Sequence, residues 1–111
     1  MIEVTVKNYL DRVLTVPVTM ERAAEPPGKY IVLERTGETV ENMLRTATIV
    51  VQAYADSMYE AAVLCETVIT EMQGITSVEN VSACYLVSSY NFTDTSTKKY
   101  RYQAVFTVAY F

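Results

Sequence analysis

The groups able to do chemistry in this chain are scattered carboxylates, two thiols and a knot of basic residues among tyrosines. Glu34, Glu38 and Glu41 lie close together in sequence, and Glu60, Glu66 and Glu71 follow one another along a predicted helix. Acids perform proton transfer or hold a divalent cation only when they are positioned together. Neither set has a tight DxD or ExxH spacing, so both read as solvated faces. Cys65 and Cys84 form no CxxC, and the chain has no histidine. The usual zinc sets and a Ser-His-Asp triad are therefore excluded, and no local pattern supports a Ser–Lys dyad. Cys65 falls on the apolar stripe of a helix and Cys84 inside a strand, where buried free thiols are expected. Three glycines, with neither GxGxxG nor a P-loop, give little from which to build a phosphate cradle. The expectation is a chain that is not an enzyme and binds no cofactor or metal.

The closing stretch "SYNFTDTSTKKYRYQAVFTVAYF", residues 89–111, interleaves aromatics with Lys98, Lys99 and Arg101. Such a pattern suits nucleic acid, an ordinary core, or a surface kept for other protein copies. Nonspecific nucleic-acid binding draws its affinity from phosphate neutralisation, and a net charge of −4 argues against it. The basic cluster reads as the foot of a solvated hairpin. The residues singled out as a candidate interface are Tyr54, Tyr90, Phe92, Asp94, Lys98, Lys99, Tyr100, Arg101 and Tyr102.

The elements that position these groups follow from periodicity. One domain is expected over 1–111, since 111 residues support one sheet with one or two helices. In residues 3–14, Val6, Tyr9, Leu10, Val13 and Leu14 recur at helical spacing. Pro17 in "TVPVTM" suits an edge strand, and Pro26, Pro27 and Gly28 predict a tight connection. "KYIVLERT" reads as a strand. "GETVENMLR", 37–45, has no convincing period and predicts a long, poorly ordered loop, with a helical turn as the alternative.

In 46–55, Ala47, Ile49, Val51, Ala53 and Ala55 alternate with Thr46, Thr48, Val50, Gln52 and Tyr54, as in a strand. "SMYE", 57–60, is a capping box; Met58, Ala61, Ala62, Cys65, Val68, Ile69 and Met72 then keep helical spacing, and Gly74 suits a left-handed cap. Residues 81–90 and 98–111 predict two long strands joined by a polar, poorly ordered tip at 91–97. The fold class is α+β: a mainly antiparallel (mixed) sheet of about five strands with two helices packed on one face. The N-terminus has no basic start followed by an apolar run, and no apolar stretch approaches about 18 residues, so neither a signal peptide nor a membrane span is expected.

A helix-covered antiparallel sheet should be polar on its other face. Here both faces carry apolar and aromatic residues. Tyr100, Tyr102, Ala104, Phe106, Val108 and Tyr110 share one face of the last strand; Val105, Ala109 and Phe111 lie on the other. Amphipathic tyrosines among threonines favour interfaces, which points to self-association or docking.

The element order, with "VLERTGE" (32–38), "TATIVVQAYADSMYEAAVLCETV" (46–68) and "KYRYQAVFTVAY" (99–110), resembles the tail terminator (tail completion) proteins of long-tailed bacteriophages and prophages. The resemblance spans nearly the whole chain. It implies a subunit of a ring, expected to be a hexamer, that caps the finished tail tube and offers a surface to the head–tail connector or stopper protein. It implies assembly in the host bacterial cytoplasm and residence in the virion tail, with no membrane and no sequence-specific nucleic acid as partner. It carries no active site. Glu38 stands where relatives place a second glycine. Two other classes stay open: another head–tail joining or tail tube protein, and a small dimeric α+β enzyme or ligand-binding domain with an enclosed pocket.

Overall fold

A computed structural model describes residues 1–21, 28–93 and 99–111. Pro26, Pro27, Asp94, Lys98 and most of the predicted tip at 91–97 lie outside the described residues. The chain runs α1 (Ile2–Val13), β1 (Val18–Thr19), β2 (Tyr30–Glu41), β3 (Leu44–Ala55), α2 (Met58–Met72), a short 3-10 turn (Ile75–Ser77), β4 (Val81–Asn91) and β5 (Tyr100–Tyr110). The sheet order is β1-β2-β3-β5-β4. Every pairing is antiparallel except β1 with β2. This is the α+β class read from the sequence.

Both helices cover the same face. Ile2, Val6, Tyr9 and Leu10 of α1, and Leu64, Cys65, Val68, Ile69 and Met72 of α2, join one core with Ile31, Leu33, Ile49, Val51, Phe106 and Val108. Fully burying each large aliphatic or aromatic side chain here is worth about 1.5–3 kcal/mol. Small residues in the sheet, Ala47, Ala53 and Ala104, are completely enclosed and let α2 sit close. The Ser57 hydroxyl accepts from the Glu60 amide at 3.1 Å, so α2 starts where the capping box predicts. Leu64 joins the buried stripe, while Met58 and Ala62 stay at its margin. Pro17, which has no N–H to give, accepts at its carbonyl from the Ile31 amide at 2.8 Å and leads into the short edge strand.

Two expectations are corrected. Residues 37–45 are not a loop. They complete β2, turn at Asn42-Met43, and begin β3. Both turn residues have positive φ, 49° and 68°, which a two-residue hairpin of matching twist requires. Asn tolerates this conformation; Met does not favour it. Gly74 is not a left-handed cap, because no described glycine has positive φ. Its value is space: the Tyr9 hydroxyl donates to the Glu71 carbonyl at 2.7 Å, and a Cβ on Gly74 would sit 2.7 Å from the Tyr9 hydroxyl oxygen.

Three substitution experiments follow. Gly74→Ala should cost roughly 1–3 kcal/mol in chemical denaturation, since it displaces a part-buried hydrogen bond. Gly37→Ala, where a Cβ meets nothing within 4 Å, should be neutral or stabilising by up to about 1 kcal/mol. Ser57→Ala should cost roughly 0.5–2 kcal/mol by the same measurement, and no change would mean that the hydroxyl does not cap α2.

Candidate functional site

The face of the sheet away from the helices is where the candidate residues gather. Antiparallel register sets Tyr54 opposite Arg101, Gln52 opposite Gln103, and Gln103 opposite Tyr90. A directional relay of hydrogen bonds results. Arg101 Nη1 donates to Tyr54 Oη at 2.9 Å, and Tyr54 Oη donates to Gln52 Oε1 at 3.1 Å. Gln52 Nε2 donates to Gln103 Oε1 at 2.9 Å, and Gln103 Nε2 donates to Tyr90 Oη. Gln103 is buried, so its amide needs these partners.

Arg101 is further fixed. Its Nε donates to the Phe92 carbonyl at 2.6 Å, and its guanidinium sits 4.3 Å from the Phe92 ring centroid. Phe92 meets Tyr90 edge-on, and Tyr54 packs against Tyr30 with ring centroids 4.5 Å apart. The Phe92 amide donates to the Arg101 carbonyl at 2.9 Å, so the first residues of the predicted tip are part of the fold.

The structure thus unites Tyr54, Tyr90, Phe92 and Arg101 on one face. Tyr100 and Tyr102 stand on the other, with Tyr102 packed against the core. Lys99 is half-buried at the start of that strand, and Asp94 and Lys98 lie outside the described residues. Gln52 and Gln103 were not among the candidates, yet they are the centre of the relay. Their matching position on the polar face of β3 and β5 was the available signal.

A second polar cluster lies toward the β2–β3 turn, on the helix-covered face. Thr36 is an extra residue in β2: the register passes from Arg35 opposite Ile49 to Gly37 opposite Thr48. Residues three apart in a regular strand point to opposite faces; this bulge puts Arg35 and Glu38 on the same one. Arg35 Nη1 pairs with Glu38 at 2.6 Å, and its Nε pairs with Glu3 of α1 at 3.2 Å. The Tyr110 hydroxyl donates to Glu38 Oε1. The hairpin is thereby tied to the first helix and the last strand.

The Tyr110 hydroxyl, aided by Arg35, holds the Glu38 carboxyl below its usual value; burial and Glu38 push the Tyr110 hydroxyl upward. Burial raises the Cys65 and Cys84 thiols to about 11, so both are protonated and unreactive at neutral pH. Among the described residues no three His, Cys, Asp or Glu are grouped to hold a metal ion, and no helix is long and apolar enough to cross a membrane.

No protein-family profile and no curated protein matches this chain. Among solved structures, it is similar to a chain in the virion of a native gene transfer agent (GTA) particle. The TM-score is 0.65 at 13% identity, covering 92% of this chain and 83% of that one. At that identity the likeness is one of fold.

The Arg35–Glu38–Tyr110 tie generates a pH-dependent prediction. A carboxylate whose folded pKa is depressed stabilises above its unfolded pKa, and the contribution is lost as pH falls through the folded value. Amides of residues 38–47 should therefore lose hydrogen-exchange protection on acidification below the usual glutamate value of 4.5. Comparison is with the core amides of 51–53. Arg35→Ala should lower hairpin protection already at pH 7, and Glu38→Gln should remove the acid-dependent part. An unchanged profile in both variants would mean that the cluster does not anchor the hairpin.

Proposed function

We propose that this chain is a structural, non-catalytic subunit of a phage-type virion. In this reading it assembles as a ring, expected to be a hexamer, on the end of the tail tube, stops tail elongation and presents the surface that joins the head connector. Its partners are copies of itself, the tail tube protein and the head-side connector or stopper. It assembles in the cytoplasm of the host bacterium and stays in the virion tail.

The observation that carries the reading is the fold likeness, over 92% of this chain, to a chain of a virion particle. The motif resemblance to tail terminators is a second, sequence-based support. The uncovered face of the sheet fits the same role. The side chains of the relay are already joined to one another, so a partner can cover them without leaving their donors unpaired. Arg101 is engaged by Tyr54 and Phe92.

Deletion of the gene from the phage or prophage that encodes it tests the assignment. Electron microscopy should show tubes of irregular, excess length without heads, and purified protein added early should restore uniform length. Tails of normal length that merely lack heads would reassign the chain to the head side of the joint. Absent tubes would make it a tube component.

A further inference from the structure

We infer that β4 is a docking edge for a second copy of this chain, paired antiparallel with that copy's β4 about a two-fold axis between Val87 and Ser88. The contact goes beyond the ring reading and does not rest on it. A two-fold contact closes at two copies, whereas a ring needs a head-to-tail one.

A sheet edge carries unpaired backbone N–H and C=O groups, and soluble proteins blunt it with charge, proline, bulges or short strands. The two edges of this sheet differ. At one, β1 is two residues long, and β2 runs on past it with Glu34, Arg35, Glu38 and Glu41 and the bulge at Thr36. That edge is protected. At the other, β4 is 11 residues long and, among the described residues, pairs with β5 alone. No charge and no proline occurs from Asn80 to Thr93, in a chain that is one-fifth charged. Tyr85 is 64% exposed and Val87 62%, with Leu86, Tyr90 and Phe92 also open to solvent. An apolar patch along an open ladder takes an extended strand, held by backbone hydrogen bonds.

Two observations name that strand as a second β4. The first is charge. Antiparallel pairing about a two-fold sets a segment against itself, and like charges directly opposite each other would oppose it. β4 has none to bring. The outer edge of β2 would instead bring Glu34, Glu38 and Glu41 to a strand with no cation to meet them.

The second is the bulge. Val87 is an extra residue: the register passes from Leu86 opposite Phe106 to Ser88 opposite Val105. Residues five apart in a regular strand point to opposite faces. Here Tyr85, opposite Thr107, and Tyr90, opposite Gln103, share the uncovered face. Leu86, opposite Phe106, and Ser89, opposite Ala104, share the helix face. With the axis at the bulge, Tyr85 of one copy stands opposite Tyr90 of the other, and Leu86 opposite Ser89. Each pair occurs twice, on matching faces, and aromatic cross-strand pairs stabilise a sheet. The irregularity that would spoil pairing with a regular strand meets its own copy at the axis.

Sedimentation equilibrium of the free, full chain tests this, and a concentration-dependent dimer is expected. Two double variants at exposed positions then read the register, with circular dichroism to confirm folding. Leu86→Lys with Ser89→Glu sets opposite charges across the axis, and Leu86→Lys with Ser89→Lys sets like charges. The first should dimerise at least about tenfold more tightly than the second. A chain that stays monomeric at all concentrations, or two variants that dimerise alike, would overturn the inference. Amides of β4 that gain hydrogen-exchange protection only when tail tubes are added would make the occupant a tube strand, and overturn it too. The dimer is read on free protein, so a failure of the ring assignment on tails leaves its result standing.

Discussion

Two helices cover one face of a five-stranded sheet, and the other face has to be made stable without them. That constraint governs most of what is particular to this chain. A bare sheet face ordinarily turns polar and hydrates. Here β3 and β5 place glutamine against glutamine, and tyrosine hydroxyls and an arginine close the row at both ends. The row spans β3, β5 and β4, so three strands are joined by side chains as well as by the ladder. Such a surface is firm, amphipathic and already satisfied, and it suits a protein–protein contact better than a reacting centre. The ionisable groups with displaced pKa values are tied into packing or are buried thiols.

The same economy appears at the turn end. One extra residue, Thr36, rotates the strand so that Arg35 and Glu38 act together. Glu38 takes the Tyr110 hydroxyl. The Arg-Thr-Gly stretch thus has a mechanical meaning: it is the bulge that fixes a long hairpin to α1 and β5.

What the sequence disclosed follows from the range of the forces involved. The second helix was legible because its signals are local: Ser57 and Glu60 cap it, and the apolar stripe repeats at fixed spacing. The alternation in β3 was equally plain. The β2–β3 turn was missed because Met43 occupies a position where Gly is the usual mark, and because the bulge at Thr36 breaks the alternation of β2. Gly74 was misread because its reason lies in Tyr9, which reaches from 62 residues before the carbonyl it binds. Tyr90 and Arg101 were found by residue type, whereas Gln52 and Gln103 depend on register, which periodicity does not fix. Tyr100 and Tyr102 share the aromatic character of Tyr90, but alternation turns them to the helix side.

We propose that this chain sits as a ring at one end of the tail tube. Cryo-electron microscopy of the intact virion that carries it tests that directly. One layer of this fold, a ring expected to be of six, should lie between the last tube layer and the head connector. Finding the fold repeated along the tube, at the far tip, or nowhere in the particle would contradict it.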